Sequence, residues 1–322
     1  MTETQDLIQA CVYALKHNLS LQADERVLIV TDEEKRIIGE AFKSAALTLS
    51  SRVVMRQIPL LEHSGQEPPC RVAEEMRSAD VILLPLARSL SWTKARREAS
   101  EGGARIASMP GITPEIVLRT FPQNYIRIKD RVNRLCDLLD ETEQIHVKTE
   151  AGTDLVLDTK GRRGRGRRGG FYTEKGAWGN LPCGEAFIAP VEGSAQGIYC
   201  VDASHSGLGK IQEPIRIIVQ KGRAVRINGG SQSSLLFKLL KSVGHPDSFN
   251  IAEFGLGCND KARVCGVTLE DEKSLGTCHI ALGGNALFGG RTDVGIHLDG
   301  VVLHPTVEFD GHTVMRQGTL LV

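Results

Sequence analysis

Arg26-Val-Leu-Ile-Val30, then Thr31-Asp-Glu-Glu34, then apolar residues at Ile37, Ile38, Ala41, Phe42, Ala45 and Leu49, and finally Arg52-Val-Val-Met-Arg56 form the stretch that decides the fold. The first and last runs are short and β-branched, as buried strands are. The middle series recurs at spacings of three and four, the period of one helix face. Thr31-Asp-Glu-Glu34 has the form of a capping box and predicts that the helix opens there. Strand, helix, strand is a βαβ crossover, the connection that parallel strands require.

The alternation continues outward on both sides. Leu7, Ile8, Cys11, Ala14 and Leu15 predict a helix ahead of the first strand. Val72 to Arg77 reads as a short helix, Asp80-Val-Ile-Leu-Leu84 as a strand, Thr93 to Ser100 as a helix, Ala104-Arg-Ile-Ala-Ser108 as a strand and Asn124 to Asp140 as a helix. The class is therefore α/β, and residues 1–142 are expected to form a Rossmann-like domain with a parallel sheet covered on both faces. Nucleotide binding is not expected of it. After Val30 the chain runs Thr-Asp-Glu-Glu where a dinucleotide needs G-x-G-x-x-G, and acids there repel a pyrophosphate.

Residues 143–322 read differently. Gln144 to Thr149, Asp154 to Asp158, Ala186 to Ala189, Ile215 to Gln220, Ala224 to Ile227, Thr277 to Leu282, Val294 to Leu303 and Thr313 to Leu321 alternate like half-exposed antiparallel strands. Lys221-Gly222-Arg223 marks a hairpin, and one helix is expected from Ser233 to Val243. This half is expected to be an α+β domain that binds metal, for the reasons below.

Composition narrows the function. The 322 residues carry 39 Lys and Arg against 39 Asp and Glu, so no overall field draws the protein to nucleic acid or an anionic membrane. The longest apolar run, Val81 to Ala87, is far below the about 20 residues of a membrane helix, and Met1 to Asp6 carries acids where a secretory signal is basic. A cytoplasmic location without membrane association is expected. The eight cysteines lack any C-x-x-C spacing and read as reduced thiols.

Chemistry concentrates in the second half. His297 and Asp299 sit two apart in an apolar strand, so both aim to one face of the pleat. His279 lies in another apolar strand. Glu185 and Glu253 have apolar or glycine neighbours, and a carboxylate in such surroundings needs a cation or an altered pKa. Two Glu, two His and one Asp are the ligand types that divalent ions take in hydrolase sites. Glycines in Gly283-Gly284-Asn285-Ala286-Leu287-Phe288-Gly289-Gly290 would let backbone approach a ligand.

The order and wording of these motifs resemble the thermophilic-type metalloaminopeptidases, aminopeptidase T and aminopeptidase S. The resemblance runs through Ala151-Gly-Thr-Asp-Leu155, Leu181-Pro-Cys-Gly-Glu-Ala-Phe187, Ala189-Pro-Val-Glu192, Ala252-Glu-Phe-Gly-Leu-Gly-Cys-Asn259, Cys278-His-Ile-Ala-Leu-Gly283 and Ile296-His-Leu-Asp299. It implies that Glu185, Glu253, His279, His297 and Asp299 surround two divalent ions (zinc, cobalt or manganese), with Glu253 bridging. It also implies a homodimer that removes N-terminal amino acids from small peptides through a metal-activated water. Glu192, seven residues past Glu185, is a candidate general base. The family's tyrosine seven residues after the matched His is Ala286 here.

A sister branch, the 2,5-dihydroxypyridine ring-cleaving dioxygenases, has the general size of this chain and a similar C-terminal H-x-D. Resemblance to that branch implies one non-haem Fe(II) and a small aromatic substrate, although the second histidine of its triad falls at Glu253. The third alternative is a metal-free scaffold of the same fold.

Lys160-Gly-Arg-Arg-Gly-Arg-Gly-Arg-Arg-Gly-Gly170 concentrates six positive charges. It suits an exposed loop, with selection of an acidic substrate or pairing across a subunit interface as alternatives and nucleic-acid binding the least favoured.

Overall fold

Val27–Thr31 lies between Val53–Gln57 and Val81–Leu86 in a parallel sheet that continues through Arg105–Pro110 to Trp178–Asn180. The structure is a computed structural model that describes residues 3–322. Val27–Thr31 and Val81–Leu86 are buried at every position, as strands covered on both faces must be, whereas the edge strand Val53–Gln57 is partly exposed. Glu3–His17, Arg36–Leu47, Cys70–Ser78, Lys94–Glu101 and Pro114–Thr120 are the helices of this unit. Leu28, Val30, Met76, Ile82, Leu84, Leu90 and Ile106 pack into one of its cores. The parallel α/β layer expected from the first half is present.

Local signals account for several boundaries. Thr93 caps Lys94–Glu101 by accepting from the Arg96 amide, and Thr113 caps Pro114–Thr120 with proline in the first turn. The expected capping box at Thr31 does not form. Thr31 ends the strand, and the helix begins at Arg36. Asp32 is fully buried instead and accepts from the amides of Lys35 at 3.0 Å and Ala87 at 2.6 Å. Its carboxylate thus ties the helix start to the chain leaving Val81–Leu86.

The chain divides into two compact units, one up to Tyr125 together with Gly170–Cys183, the other Ile126–Gly169 together with Gly184–Val322. Residues 126–141 of the helix Tyr125–Glu141 thus cluster with the second unit, and the strand Trp178–Asn180 completes the sheet of the first.

The second unit contains two antiparallel sheets. The larger has eight strands in the order Arg223–Asn228, Ile215–Gln220, Gln196–Val201, Asp154–Asp158, Gln144–Lys148, Thr306–Phe309, His312–Arg316, Thr319–Leu320. The smaller has six, in the order Gly209–Lys210, Ser204–His205, His297–Leu303, Thr277–Gly283, Ile251–Gly257, Glu185–Ile188. Alternation divides the residues of the smaller sheet between its faces. Phe254 meets Phe309 of the larger sheet edge to face, with centroids 6.4 Å apart, while Glu253 and Gly255 point the other way. No helix among the described residues is long and apolar enough to cross a membrane.

Candidate metal centre

The central strands of the smaller sheet carry Glu253, His279, His297 and Asp299. In the ladder Ala281 stands opposite both Glu253 and Asp299, Gly255 opposite His279, and Gly283 opposite His297. Glu185, on the flanking strand, stands opposite Gly257. Period-two alternation puts all of these on one face. Their cross-strand neighbours Gly255, Gly257, Ala281 and Gly283 are small, so the long polar side chains have room to lie over the sheet and converge.

The convergence is tight. His279 Nε2 donates to Glu253 Oε1 at 3.1 Å and lies 3.4 Å from Glu185 Oε2. His297 Nε2 lies 3.3 Å from both Glu253 Oε2 and Asp299 Oδ1. There are therefore two sets of donor atoms, Glu185–Glu253–His279 and Glu253–His297–Asp299, each with its atoms within 4.8 Å of one another and with Glu253 in both. The five residues named from sequence are brought together, and Glu253 stands between the two histidines.

Electrostatics follow from burial. Burial alone would lower both histidines, but the carboxylates outweigh it: Asp299 and Glu253 hold His297 well above its usual value, while Glu253 and Glu185 push His279 up to about 9. Burial alone would raise Asp299 and Glu253, and the imidazoles hold both below the usual carboxylate range. This is a cluster of anionic oxygens that holds positive charge.

The donor set fits a divalent metal ion. His297 Nδ1 donates to the Gly284 carbonyl at 2.8 Å, which fixes the ring so that Nε2 faces the two carboxylates. One imidazole nitrogen and two carboxylate oxygens form a hard set suited to Fe(II) or Mn(II). It differs from the two-histidine, one-carboxylate triad by having Glu253 in place of a histidine. His279 stands behind Glu253, and its Nδ1 is buried with no hydrogen-bond partner among the described residues.

Sequence reasoning missed two residues of this cluster. Lys273 Nζ lies 2.9 Å from Glu185 Oε1 and also contacts Glu272. Burial alone would lower Lys273, but the charges of Glu185 and Glu272 raise it, so it stays an ammonium. Leu269-Glu-Asp-Glu-Lys-Ser274 looks like a solvated charge run, yet all six residues are buried. Glu270 and Asp271 are absorbed by the loop before them: Glu270 accepts from the Arg263 amide, Asp271 from the amides of Cys265 and Gly266. The available signal was three acids and one base just ahead of an apolar strand that carries a histidine.

Glu192 is engaged elsewhere. It pairs with Arg162 and accepts from the Arg291 amide at 2.7 Å, and neither donor set includes it. The arginine-rich segment is largely neutralised within its own unit. Arg163 and Arg167 pair with Asp140, Arg167 also with Asp137, and Lys160 with Glu143. The glycine-rich loop carries Phe288, whose ring meets His297 edge-on at 5.5 Å and Phe187 at the same distance. Ala286, at the tyrosine position of the aminopeptidases, is exposed.

Fold and cluster together define a class: an α/β protein whose antiparallel unit offers a buried donor set of the kind that holds a divalent ion. The chain belongs to the NicX family of 2,5-dihydroxypyridine 5,6-dioxygenases, whose model matches residues 6–322. It is 28% identical over 221 residues to the 2,5-dihydroxypyridine 5,6-dioxygenase of Pseudomonas putida, a match spanning 65% of this chain and 62% of that relative's length. The solved structure of 2,5-dihydroxypyridine dioxygenase from Pseudomonas putida KT2440 superposes with a TM-score of 0.82 at 20% identity, covering 100% of this chain and 98% of the other. Wild-type AmpT from Thermus thermophilus superposes at 0.74 with 18% identity and full coverage of both chains.

These findings correct one expectation. The family is one of dioxygenases, so the reading as an aminopeptidase-type hydrolase, a metalloprotease acting on peptides, does not stand. The motifs shared with the aminopeptidases report a shared fold, and AmpT has that fold.

Proposed function

We propose that this protein is a ring-opening dioxygenase that acts on a small hydroxylated pyridine of the 2,5-dihydroxypyridine type and uses a single Fe(II). The observation that carries this reading is the convergence of Glu253, His297 and Asp299 on one buried face, in a chain that the dioxygenase family model matches over residues 6–322. In this reading those three residues hold the metal. The chemistry that Fe(II) supplies when bound is activation of dioxygen toward the ring.

The chain's own residues do the rest. Two carboxylates and one neutral imidazole bring two negative charges, enough to neutralise Fe(II) in a buried site. The Gly284 carbonyl keeps the His297 lone pair on Nε2, and the hydrogen bond from His279 orients Glu253. Phe288 and Phe187 form an apolar wall beside His297 that suits a flat ring and excludes water.

The test is oxygen uptake by protein purified anaerobically, loaded with Fe(II) and given 2,5-dihydroxypyridine. Uptake coupled to loss of the substrate's ultraviolet band, and absent from His297→Ala, is expected. If the iron-loaded protein consumes no oxygen with any of a panel of hydroxylated pyridines, the reading fails.

A further inference from the structure

We propose that the Lys273 ammonium is a built-in cation that occupies the electrostatic place of a second metal, so that the centre takes one divalent ion at Glu253–His297–Asp299. This rests on the metal-centre reading above and adds what decides the ion count.

The smaller sheet offers two donor sets that share Glu253, and geometry alone would permit an ion in each. They differ in their surroundings. The Glu185–Glu253–His279 set has Lys273 Nζ 2.9 Å from one oxygen of Glu185, a residue that the Glu253–His297–Asp299 set does not include. Lys273 is fully buried and held by a second carboxylate, Glu272, so its ammonium cannot swing out to water.

An ammonium and a divalent ion compete for the same carboxylate oxygens, and at this range in a buried site they also repel each other strongly. Lysine suits the role because its compact head carries three donors and can satisfy several oxygens at once. Glu185 is thereby committed to Lys273, and His279 is left as a hydrogen-bonding partner of Glu253. The backbone fixes the arrangement, because the Lys273 carbonyl accepts from the Asn259 amide at 2.8 Å and holds the buried turn in register just beyond the Glu253 strand.

The test is Mn(II) binding by equilibrium dialysis of the full chain, with circular dichroism to verify folding. Wild type is expected to bind about one ion per chain, and so are Lys273→Arg, which keeps the charge, and Glu185→Gln, which removes a carboxylate assigned to lysine. Lys273→Met, which keeps the length and removes the charge, is expected to bind about two. Two ions in wild type, loss of the ion from Glu185→Gln, or a folded Lys273→Met that still binds one would each overturn the proposal. If Lys273→Met does not fold, the wild-type and Glu185→Gln counts decide. No ion in wild type would sink the metal-centre reading itself, a result distinct from a wrong count.

Discussion

The imidazole of His279 lies over Gly255, its direct partner in the ladder, so closely that a Cβ on residue 255 would overlap the ring. Gly255→Ala must therefore push aside a fully buried side chain that is hydrogen-bonded to Glu253. Overpacking of this kind costs about 1–3 kcal/mol, and the displaced ring no longer orients Glu253. A lower urea midpoint together with Mn(II) affinity weakened about tenfold or more is expected. Unchanged values for both would mean that His279 has no part in shaping the centre.

Asp299 and Glu192 make opposite predictions. Asp299→Asn removes a charged donor facing His297 at 3.3 Å and should weaken Mn(II) binding by more than about 100-fold, beyond the effect typical of an outer partner. Glu192 is held by Arg162 and the Arg291 amide, so Glu192→Gln should leave metal affinity alone and lower stability by about 1–2 kcal/mol. Calorimetric titration and urea melts of the two variants separate these effects. Metal loss in Glu192→Gln would return that residue to the reacting centre.

Much of this was legible in the sequence, for identifiable reasons. His297 and Asp299 share a face because strands have a period of two, and Glu185 and Glu253 stood out as carboxylates in apolar runs. The parallel layer followed from the strand–helix alternation between Arg26 and Ser108. Long-range pairing was not legible: nothing local tells Trp178–Asn180 to join Arg105–Pro110 after the chain has made the helix Tyr125–Glu141 and two strands of the other unit. Nor does local pattern reveal that Lys273 is buried, because burial of a charge is decided by carboxylates distant in sequence such as Glu185. The Thr31 capping box failed for a similar reason, since Thr31 is taken into the sheet opposite Gln57 and the helix starts only at Arg36.

Metal-free protein should lose stability as pH rises from about 6.5 to about 9. His279 is raised to about 9 when folded, so its contribution is complete below its unfolded value near 6.5 and is lost as pH climbs through the folded value. Asp299 and Glu253 are lowered, so their contributions vanish only in acid. Urea midpoints of chelator-treated protein at pH 6.5 and pH 9 check this, and a higher midpoint at pH 9 would contradict it.

The arginine-rich loop should matter little to stability. Arg163 and Arg167 make largely exposed pairs with Asp140 and Asp137, and such pairs are worth about 0–1 kcal/mol each. Arg163→Ala/Arg167→Ala should shift the urea midpoint only slightly, and less at high salt. A large, salt-insensitive loss would mean that the loop holds the helix Tyr125–Glu141 in place more strongly than its ion pairs account for.

The central claim is that this centre puts dioxygen into a hydroxylated pyridine ring, and isotope labelling tests it most directly. The Fe(II)-loaded protein is allowed to turn over 2,5-dihydroxypyridine under ¹⁸O₂, and the product is read at once by mass spectrometry. The account predicts a ring-opened product carrying label from both atoms of one dioxygen molecule, and no such product from His297→Ala. A ring left intact, or a product whose new oxygen comes only from water, would contradict it.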